Sequence, residues 1–290
     1  MNELEKMNIQ WYPGHMTKTR RQIEADLKQV DAVCEIVDAR IPVSSRNPDI
    51  DAICGSKPRI IVLNRMDLAD PAATKKWMAY FKSRGMAVLA TDCKSRKGIS
   101  SFVPAARQAC AEKLQRDAAR GMNRPLRVMI VGIPNVGKST LINQISGRKG
   151  AKAENRPGVT RGKQWVTVDT GLQLLDTAGI LWPKFEDPEV GMMLAYTGAV
   201  KEGVIDLEEL ACRLMELLHR YYPRTLIDRY KVEAPEGTKG YELLEMAGRK
   251  RGFLLTRGEI NTERMAKVLV DEFRSGKLGK FTLEQPEEEV

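Results

Sequence analysis

A glycine-rich segment in the middle of the chain has the residue types and spacing of a phosphate-binding loop. Residues 132–139 read GIPNVGKS and match the pattern GxxxxGK[ST] in full. Glycines let backbone N–H groups curl around a phosphate, and the amino terminus of the following helix adds a favourable dipole. Lys138 would reach the β- and γ-phosphates, and the Ser139 hydroxyl would bind Mg²⁺. The predicted phosphate-binding set also includes Asn135, Val136, Gly137 and Thr140.

Two further segments supply candidate contacts to Mg²⁺ and to a γ-phosphate. Asp176 opens the segment DTAG at the end of a predicted strand, where its carboxylate can hold Mg²⁺ through water, and the Gly179 N–H can meet the γ-phosphate. Thr160 lies in the basic segment 148–163 and would join the Mg²⁺ shell only when a γ-phosphate is present. A DxxG pattern alone is a weak signal, and a basic loop is often simply solvated. Because both segments follow the phosphate loop in the sequence, the prediction that they contact Mg²⁺ and the γ-phosphate is stronger than either pattern alone would allow.

The segment NRMD at residues 64–67 predicts that the bound base is guanine. Asp67 can accept hydrogen bonds from the N1–H and 2-amino groups of guanine, a pair that adenine lacks. Asn64 would tie this loop to the phosphate loop. Arg65 stands where the usual guanine motif has lysine, and its aliphatic stem can still lie along the base. The segment TDCK at 91–94 departs from the common Ser-Ala-Lys, so we expect only a backbone contact from Cys93 or Lys94 to the base.

Short strands alternating with helices must position these loops. Apolar runs rich in β-branched residues, each too short for a core helix, fall at 32–37, 59–63, 87–90 and 126–131. Segments 166–168 and 172–175 predict a hairpin, and helical spacing covers 17–30, 71–84 and 99–120. The first of these helices places Ile23, Leu27 and Val30 on one face. The alternation predicts an α/β fold with a mostly parallel sheet covered on both faces.

The strand signals end after Gly179. Asp206 is a predicted N-cap with Glu209 three residues later, and a helical stripe of leucines follows. A further helix is predicted from Asn261 to near Gly276. These signals predict a small all-α domain behind the α/β part.

Composition places the chain among globular proteins and excludes several classes. It has 290 residues, 47 Lys and Arg against 38 Asp and Glu, and 42% hydrophobic residues, which favours about two domains. No apolar run approaches the roughly 20 residues that span a bilayer, and the amino terminus is too polar for a signal or transit peptide. The five cysteines include no CxxC pair, which favours a reduced, cytoplasmic compartment. The first 180 residues carry 30 Lys and Arg against 17 Asp and Glu, which fits an acidic polymer partner or a merely soluble surface equally well.

The order of the motifs is their most informative property. Nucleotide-binding proteins of this kind usually run from the phosphate loop to the guanine motif, whereas here residues 64–67 precede residues 132–139. The chain is therefore a circular permutation, which is tolerated where the original termini are close together at the surface. We expect a permuted nucleotide-binding domain at 1–182, a helical domain at 183–283 and a frayed acidic tail at 284–290. The segment DTAG at 176–179 leads straight into the helical domain, which predicts a clamp controlled by nucleotide.

Taken together, these motifs resemble those of the circularly permuted GTPases, and within them the YlqF/RbgA ribosome-biogenesis GTPases. The resemblance is carried by WYPGHM at 11–16, DARIP at 38–42, NRMD at 64–67, the phosphate loop at 132–139, PGVT at 157–160 and DTAG at 176–179. It covers residues 8–182 and, more loosely, the helical region. It implies a P-loop GTPase that uses GTP/GDP and Mg²⁺ late in assembly of the large ribosomal subunit. The helical domain would contact the precursor of that subunit and its rRNA, and we expect a monomer.

The resemblance also bears on hydrolysis. The position that holds a water-orienting Gln in Ras-like enzymes is Ile180, so turnover should be slow alone and stimulated by the ribosomal subunit. Asn135 resembles the Asn with which related GTPases hold K⁺, although it can equally serve only to stabilise the turn. The resemblance implies that His15 orients water. The alternative is that His15 is a turn residue that packs against Trp11 and Tyr12. His219, near a helix end, is predicted to be structural.

Two other functions fit the same residues. The chain can be a module in which GTP licenses RNA docking while hydrolysis is incidental, or a GTPase acting on another RNA, such as tRNA or the mitochondrial ribosome. The basic residues nominated for RNA contact are Arg20, Arg21, Lys28, Arg249, Lys250 and Arg251. For each of them a solvated helix face is an equal alternative.

Overall fold

The computed structural model describes residues 23–147, 164–169, 171–177, 187–200, 205–256 and 258–286. Outside the described residues lie six predicted functional positions: His15, Arg20, Arg21, Thr160, Gly179 and Ile180. The chain forms two compact units. The first contains the described residues up to 177 together with 284–286, and the second runs from Asp187 to Leu283.

The described residues of the first unit form a six-stranded sheet in the order β3-β2-β1-β4-β6-β5. Its strands are β1 (Ala32–Asp38), β2 (Arg59–Asn64), β3 (Ala87–Thr91), β4 (Leu126–Val131), β5 (Gln164–Asp169) and β6 (Leu172–Asp176). All neighbours are parallel except β5 and β6, which form the predicted antiparallel hairpin. The prediction of a mostly parallel sheet is confirmed. β1 is buried along its whole length, as expected for a central strand covered on both faces.

Helices surround this sheet. They are α1 (Ile50–Cys54), α2 (Pro71–Ser83), α3 (Phe102–Ala109), α4 (Ala111–Ala119) and α5 (Lys138–Ser146). The helical spacing at 99–120 corresponds to a 3₁₀ turn at Ile99–Ser101 followed by α3 and α4, and the backbone leaves helical geometry between the two helices at Cys110, with φ −108°. No glycine or proline marks Cys110, so the helical spacing continues across the break.

Two apolar clusters fix the helices on the sheet. Ile23, Leu27 and Val30, predicted to share one helix face, are buried in one cluster with Met129. The other cluster contains Trp77 and Phe81 of α2. Burying a large side chain of this kind is worth about 1.5–3 kcal/mol, so the clusters hold the strand ends in place.

The second unit consists of helices in its described residues, with one isolated bridge between Leu254 and Ile260. Its helices are α6 (Pro188–Thr197), α7 (Leu207–Tyr221), α8 (Pro223–Tyr230), α9 (Gly240–Lys250) and α10 (Thr262–Ser275). The Asp206 carboxylate caps α7 by accepting from the N–H groups of Glu208 and Glu209, and Asn261 caps α10. Among the described residues, each helix is too short or too polar to cross a bilayer.

Candidate nucleotide site

The carboxyl ends of the parallel strands bring the predicted motifs to one edge of the sheet. Asp38 of β1 pairs with Asn64 of β2, which in turn pairs with Thr91 of β3. On the other side of β1, Ile130 of β4 pairs with Asp176 of β6. The phosphate loop begins directly after β4. Ligands of open α/β sheets bind at this edge, so the sheet brings the loops together where a nucleotide would lie.

Glycine is required at two positions of the phosphate loop. Gly132 has φ +154° and Gly137 has φ +106°, where L side chains are strained. A Cβ on Gly132 would lie 2.5 Å from the Ile36 carbonyl oxygen, and one on Gly137 would lie 2.5 Å from Asn64 Nδ2. Asn135 also has a positive φ of 60°. The loop therefore packs closely against the Ile36 backbone and the Asn64 side chain, and α5 begins at Lys138 immediately behind it.

Lys138 and Asp176 form the charged centre of this loop. The Lys138 ammonium is buried and donates to the carbonyl oxygens of Gly132, at 3.1 Å, and Ile133, at 2.8 Å. Burial lowers the pKa of Lys138 to about 8, against the opposing charge of Asp176. Burial also raises the pKa of Asp176 to about 6, and Lys138 opposes that rise. Each group favours the charged form of the other, but burial outweighs that attraction; a phosphate beside Lys138 and a cation beside Asp176 would favour the charged forms further.

The Asp176 carboxylate has the features of an incomplete cation site. It is 1% exposed, and its Oδ1 atom has no hydrogen-bond partner within the described part of the chain. A buried carboxylate oxygen left in this state costs free energy unless another ligand contacts it. The residues that open α5, Ser139 and Thr140, are half-buried. A hydroxyl and a carboxylate are oxygen donors of the kind that Mg²⁺ prefers, so Ser139 and Asp176 fit that ion.

Asn64 joins three segments of the site. It is 3% exposed, and its Nδ2 atom donates to the Val136 carbonyl oxygen of the phosphate loop at 2.7 Å. Its Oδ1 atom accepts from the Thr91 hydroxyl at 3.2 Å and from the Cys93 N–H at 3.3 Å. The guanine loop, the phosphate loop and the loop after β3 are thus held by one amide group.

Arg65 reaches the phosphate loop instead of pointing into solvent. Its Nη2 atom donates to the Asn135 carbonyl oxygen at 2.7 Å, and its backbone has a positive φ of 61°. Burial lowers the pKa of Arg65, with the charge of Asp38 opposing. The half-buried Asp67 lies in the turn that Arg65 opens, where the Leu68 N–H donates to the Arg65 carbonyl oxygen. The Arg65 guanidinium therefore fixes the start of the turn that carries Asp67.

The loop after β3 is already hydrogen-bonded at the positions predicted to touch the base. The Cys93 N–H donates to Asn64, and the Lys94 N–H donates to Asp92 Oδ1 at 2.8 Å. Burial raises the pKa of the Cys93 thiol to about 12, so the thiol is an inert packing group. In this conformation, a backbone contact from Cys93 or Lys94 to the base would have to share an N–H that already has an acceptor.

Two residues of the DARIP segment form a buried ion pair that the motif chemistry of the sequence did not reveal. Arg40 donates through Nε to Asp38 Oδ1 at 2.9 Å and through Nη2 to Asp38 Oδ2 at 2.7 Å, and both residues are at most 3% exposed. Although burial opposes ionisation, Arg40 holds the pKa of Asp38 below its ordinary value. Arg65 Nε lies 3.8 Å from Asp38 Oδ2. The only sequence signal for this pair is the DARIP segment itself.

The basic residues nominated for RNA contact differ in their surroundings. Lys28, Arg249 and Lys250 are exposed. Arg251 is half-buried and lies 3.4 Å from the Glu272 carboxylate, so it serves the packing of the second unit. His219 Nε2 lies 2.9 Å from the Pro235 carbonyl oxygen, a contact that fits a structural residue.

Comparison with known proteins relates these loops to a described family. A family model described as a 50S ribosome-binding GTPase matches residues 127–221, and the guanine motif at 64–67 precedes the matched part. The chain is 47% identical to Ribosome biogenesis GTPase A of Priestia megaterium, over 97% of this chain and 98% of that protein. It is 35% identical to Mitochondrial ribosome-associated GTPase 1 of Xenopus tropicalis, over 80% of this chain and 76% of that protein. The crystal structure of GNP-bound YlqF from T. maritima has a TM-score of 0.65 at 30% identity, covering 93% of this chain and 99% of that one.

Proposed function

The chain belongs to the family of ribosome biogenesis GTPase A, and on that premise we propose that it acts late in assembly of the large ribosomal subunit. It is a GTPase, which binds guanine nucleotide and converts GTP to GDP and phosphate. In the proposed cycle, the GTP state binds the precursor of the large subunit and hydrolysis releases it.

One observation carries the nucleotide part of this proposal. The Asn64 amide connects the guanine motif to the phosphate loop, across 72 residues of sequence, at the edge of the sheet that also holds Lys138 and Asp176. A base contact at Asp67 and a phosphate contact at Lys138 therefore belong to one site. Such a site distinguishes guanine from adenine by leaving the Asp67 carboxylate unpaired with the wrong base.

The protein's own residues prepare the phosphate end of the site. The Lys138 ammonium, now held by two loop carbonyl groups, would turn to the β- and γ-phosphate oxygens, whose charge favours its protonated form. We assign Mg²⁺ to Ser139 and Asp176, with Thr160 added in the GTP state. When bound, Mg²⁺ neutralises charge that develops on the phosphate oxygens. The N–H of Gly179 would sense the γ-phosphate.

Hydrolysis needs groups besides these, because Ile180 cannot orient water. We propose His15 for this role, in a conformation that the ribosomal subunit stabilises. We also propose that the Asn135 side chain helps to hold K⁺, which would supply positive charge as an arginine finger does. The position of Asn135 in the phosphate loop supports this assignment, whereas its φ of 60° fits equally well an asparagine that serves only to stabilise the turn.

We propose that the second unit contacts rRNA and the ribosomal subunit. Exposed Arg249 and Lys250 close the last turn of α9, and charges at such positions can contact phosphates without first breaking an ion pair. Arg251 lies 3.4 Å from the Glu272 carboxylate, so a contact from its guanidinium to phosphate would compete with that ion pair.

The test is GTP turnover by the full chain with and without purified large ribosomal subunits. The proposal expects slow turnover alone and stimulation of at least about tenfold by the subunit, as an external charge or water-orienting group would give. Small subunits at the same concentration are the matched control. Equal turnover under all three conditions would favour the alternative in which GTP only licenses RNA docking, a reading that Ile180 also supports.

A further inference from the structure

The residue that follows the second unit returns to the first. Leu283 is the last residue of the second, helical unit, and Glu284 lies in the first unit, which contains the nucleotide site. The prediction of a frayed tail is therefore wrong at Glu284, whose contacts join it to residues about 240 positions earlier in the chain. Its backbone carbonyl oxygen accepts a hydrogen bond from Trp77 Nε1 at 3.0 Å. Trp77 belongs to α2, and its side chain is 1% exposed in the apolar core.

The Glu284 carboxylate holds the loop that follows β1. Its Oε2 atom accepts from the Val43 N–H at 2.6 Å, and its Oε1 atom accepts from the Ser44 N–H at 3.0 Å. Ser44 is 6% exposed, so loss of this acceptor would leave a buried backbone donor unsatisfied. Burial raises the pKa of Glu284, with the hydrogen bonds to Ser44 opposing, as expected of a carboxylate built into the fold.

The same loop determines the surroundings of Asp38. The Asp38 N–H donates to Ser45 Oγ at 3.0 Å, and the Asp38 carboxylate accepts from the Arg40 side chain and, at 3.0 Å, from the Arg40 N–H. Asp38 in turn lies beside Arg65, which donates to the phosphate loop. Continuous contacts therefore run from Glu284 through the loop at 39–45 to the guanine motif.

From this continuity we propose that Glu284 is a positioning residue for the guanine base. The inference rests on the proposed nucleotide site. Withdrawal of Glu284 releases the loop at 39–45, loosens the hold of Asp38 on Arg65 and weakens the base contact.

The test measures binding of mant-GDP to the full chain. Glu284→Ala removes both carboxylate oxygens that accept from Val43 and Ser44, and Glu284→Gln retains one side-chain oxygen as an acceptor. The matched control is Glu263→Gln, the same chemical change at an exposed position of α10. We expect mant-GDP to dissociate at least about threefold faster from Glu284→Ala, with a smaller effect for Glu284→Gln and none for the control.

A second measurement separates positioning from general stability. IDP lacks the 2-amino group of guanine, so the ratio of IDP to GDP dissociation constants reports how well the base is held. The proposal expects this ratio to fall in Glu284→Ala and, less strongly, in Glu284→Gln. An unchanged ratio and an unchanged release rate in the folded Gln variant would overturn it, even if the Ala variant fails to fold. Failure of the parent chain to bind mant-GDP would instead contradict the proposed function.

Discussion

Replacing Asn64 by alanine tests whether one amide group holds the three loops of the site together. The substitution removes a donor to Val136 in the phosphate loop and an acceptor for Thr91 and the Cys93 N–H. Val136 and Cys93 are 2% and 4% exposed, so water cannot replace the lost partners without opening the site. We expect the variant to be less stable and to bind nucleotide more weakly.

The size of the effect follows from the groups left unsatisfied. A buried neutral donor or acceptor without a partner costs roughly 1–3 kcal/mol, and Asn64→Ala creates two of them, at Val136 and Cys93. The predicted loss is therefore about 2–6 kcal/mol, shared between the free energy of unfolding and that of nucleotide binding. Thr91→Val removes only the 3.2 Å contact to the Thr91 hydroxyl and should cost about 1 kcal/mol.

Urea unfolding and mant-GDP binding together measure these losses. The chain has two compact units, so the relevant transition is the one that added GDP moves to higher urea concentration. Asn64→Ala should lower the midpoint of that transition and weaken mant-GDP binding by about tenfold or more. A change below about 0.5 kcal/mol in both quantities would refute the reasoning, because it would mean that the three loops hold their positions without the Asn64 amide.

Four other predictions address single parts of the account. Asp67→Asn should weaken GDP binding by about 100-fold and improve binding of xanthosine diphosphate, whose C2 carbonyl suits an amide donor; a competition assay with mant-GDP measures both. His15→Ala should leave GTP affinity nearly unchanged while lowering subunit-stimulated turnover, and equal stimulated rates would exclude the catalytic role. Turnover should be faster in KCl than in NaCl at matched ionic strength if Asn135 helps to hold K⁺, and equal rates would exclude a role for K⁺ in hydrolysis. The Arg229 hydrogen bond lowers the pKa of Glu272 from 4.5, so its stabilisation is present above that pH and is lost as the pH falls through the lowered value. Glu272→Gln should therefore lower the melting temperature at pH 7 by a few degrees and lose this difference from the parent in acid.

The sheet of this protein could be predicted from sequence because its strands are short apolar runs that end at recognisable loops. The predicted run at 126–131 matches β4, and the other runs differ from β1, β2 and β3 by one residue at their ends. The helical spacing over 99–120 does not predict the break at Cys110, because that residue carries no local signal for it. Local patterns thus locate elements, whereas the ends of helices depend on packing that the pattern does not contain.

The site was predictable where a residue acts through a known motif, and not where it acts through a distant partner. Lys138 and Asp176 follow from motif chemistry, and the sheet brings them to one edge. The position of the Asp38–Arg40 pair beside Arg65 could not be predicted, because it depends on the register of β1 and β2. The Glu284 contact with Ser44 crosses 240 residues, and no spacing rule reaches that far.

Sedimentation on a sucrose gradient tests the central claim most directly. The full chain is mixed with precursors of the large ribosomal subunit in the presence of GDP, or of a nonhydrolysable GTP analogue, and Lys138→Ala provides a matched control that cannot hold the γ-phosphate. The account predicts co-migration with the large-subunit particles only for the parent chain in the GTP-analogue state. Co-migration that is equal with GDP and with the analogue, or that is absent in both, would contradict it.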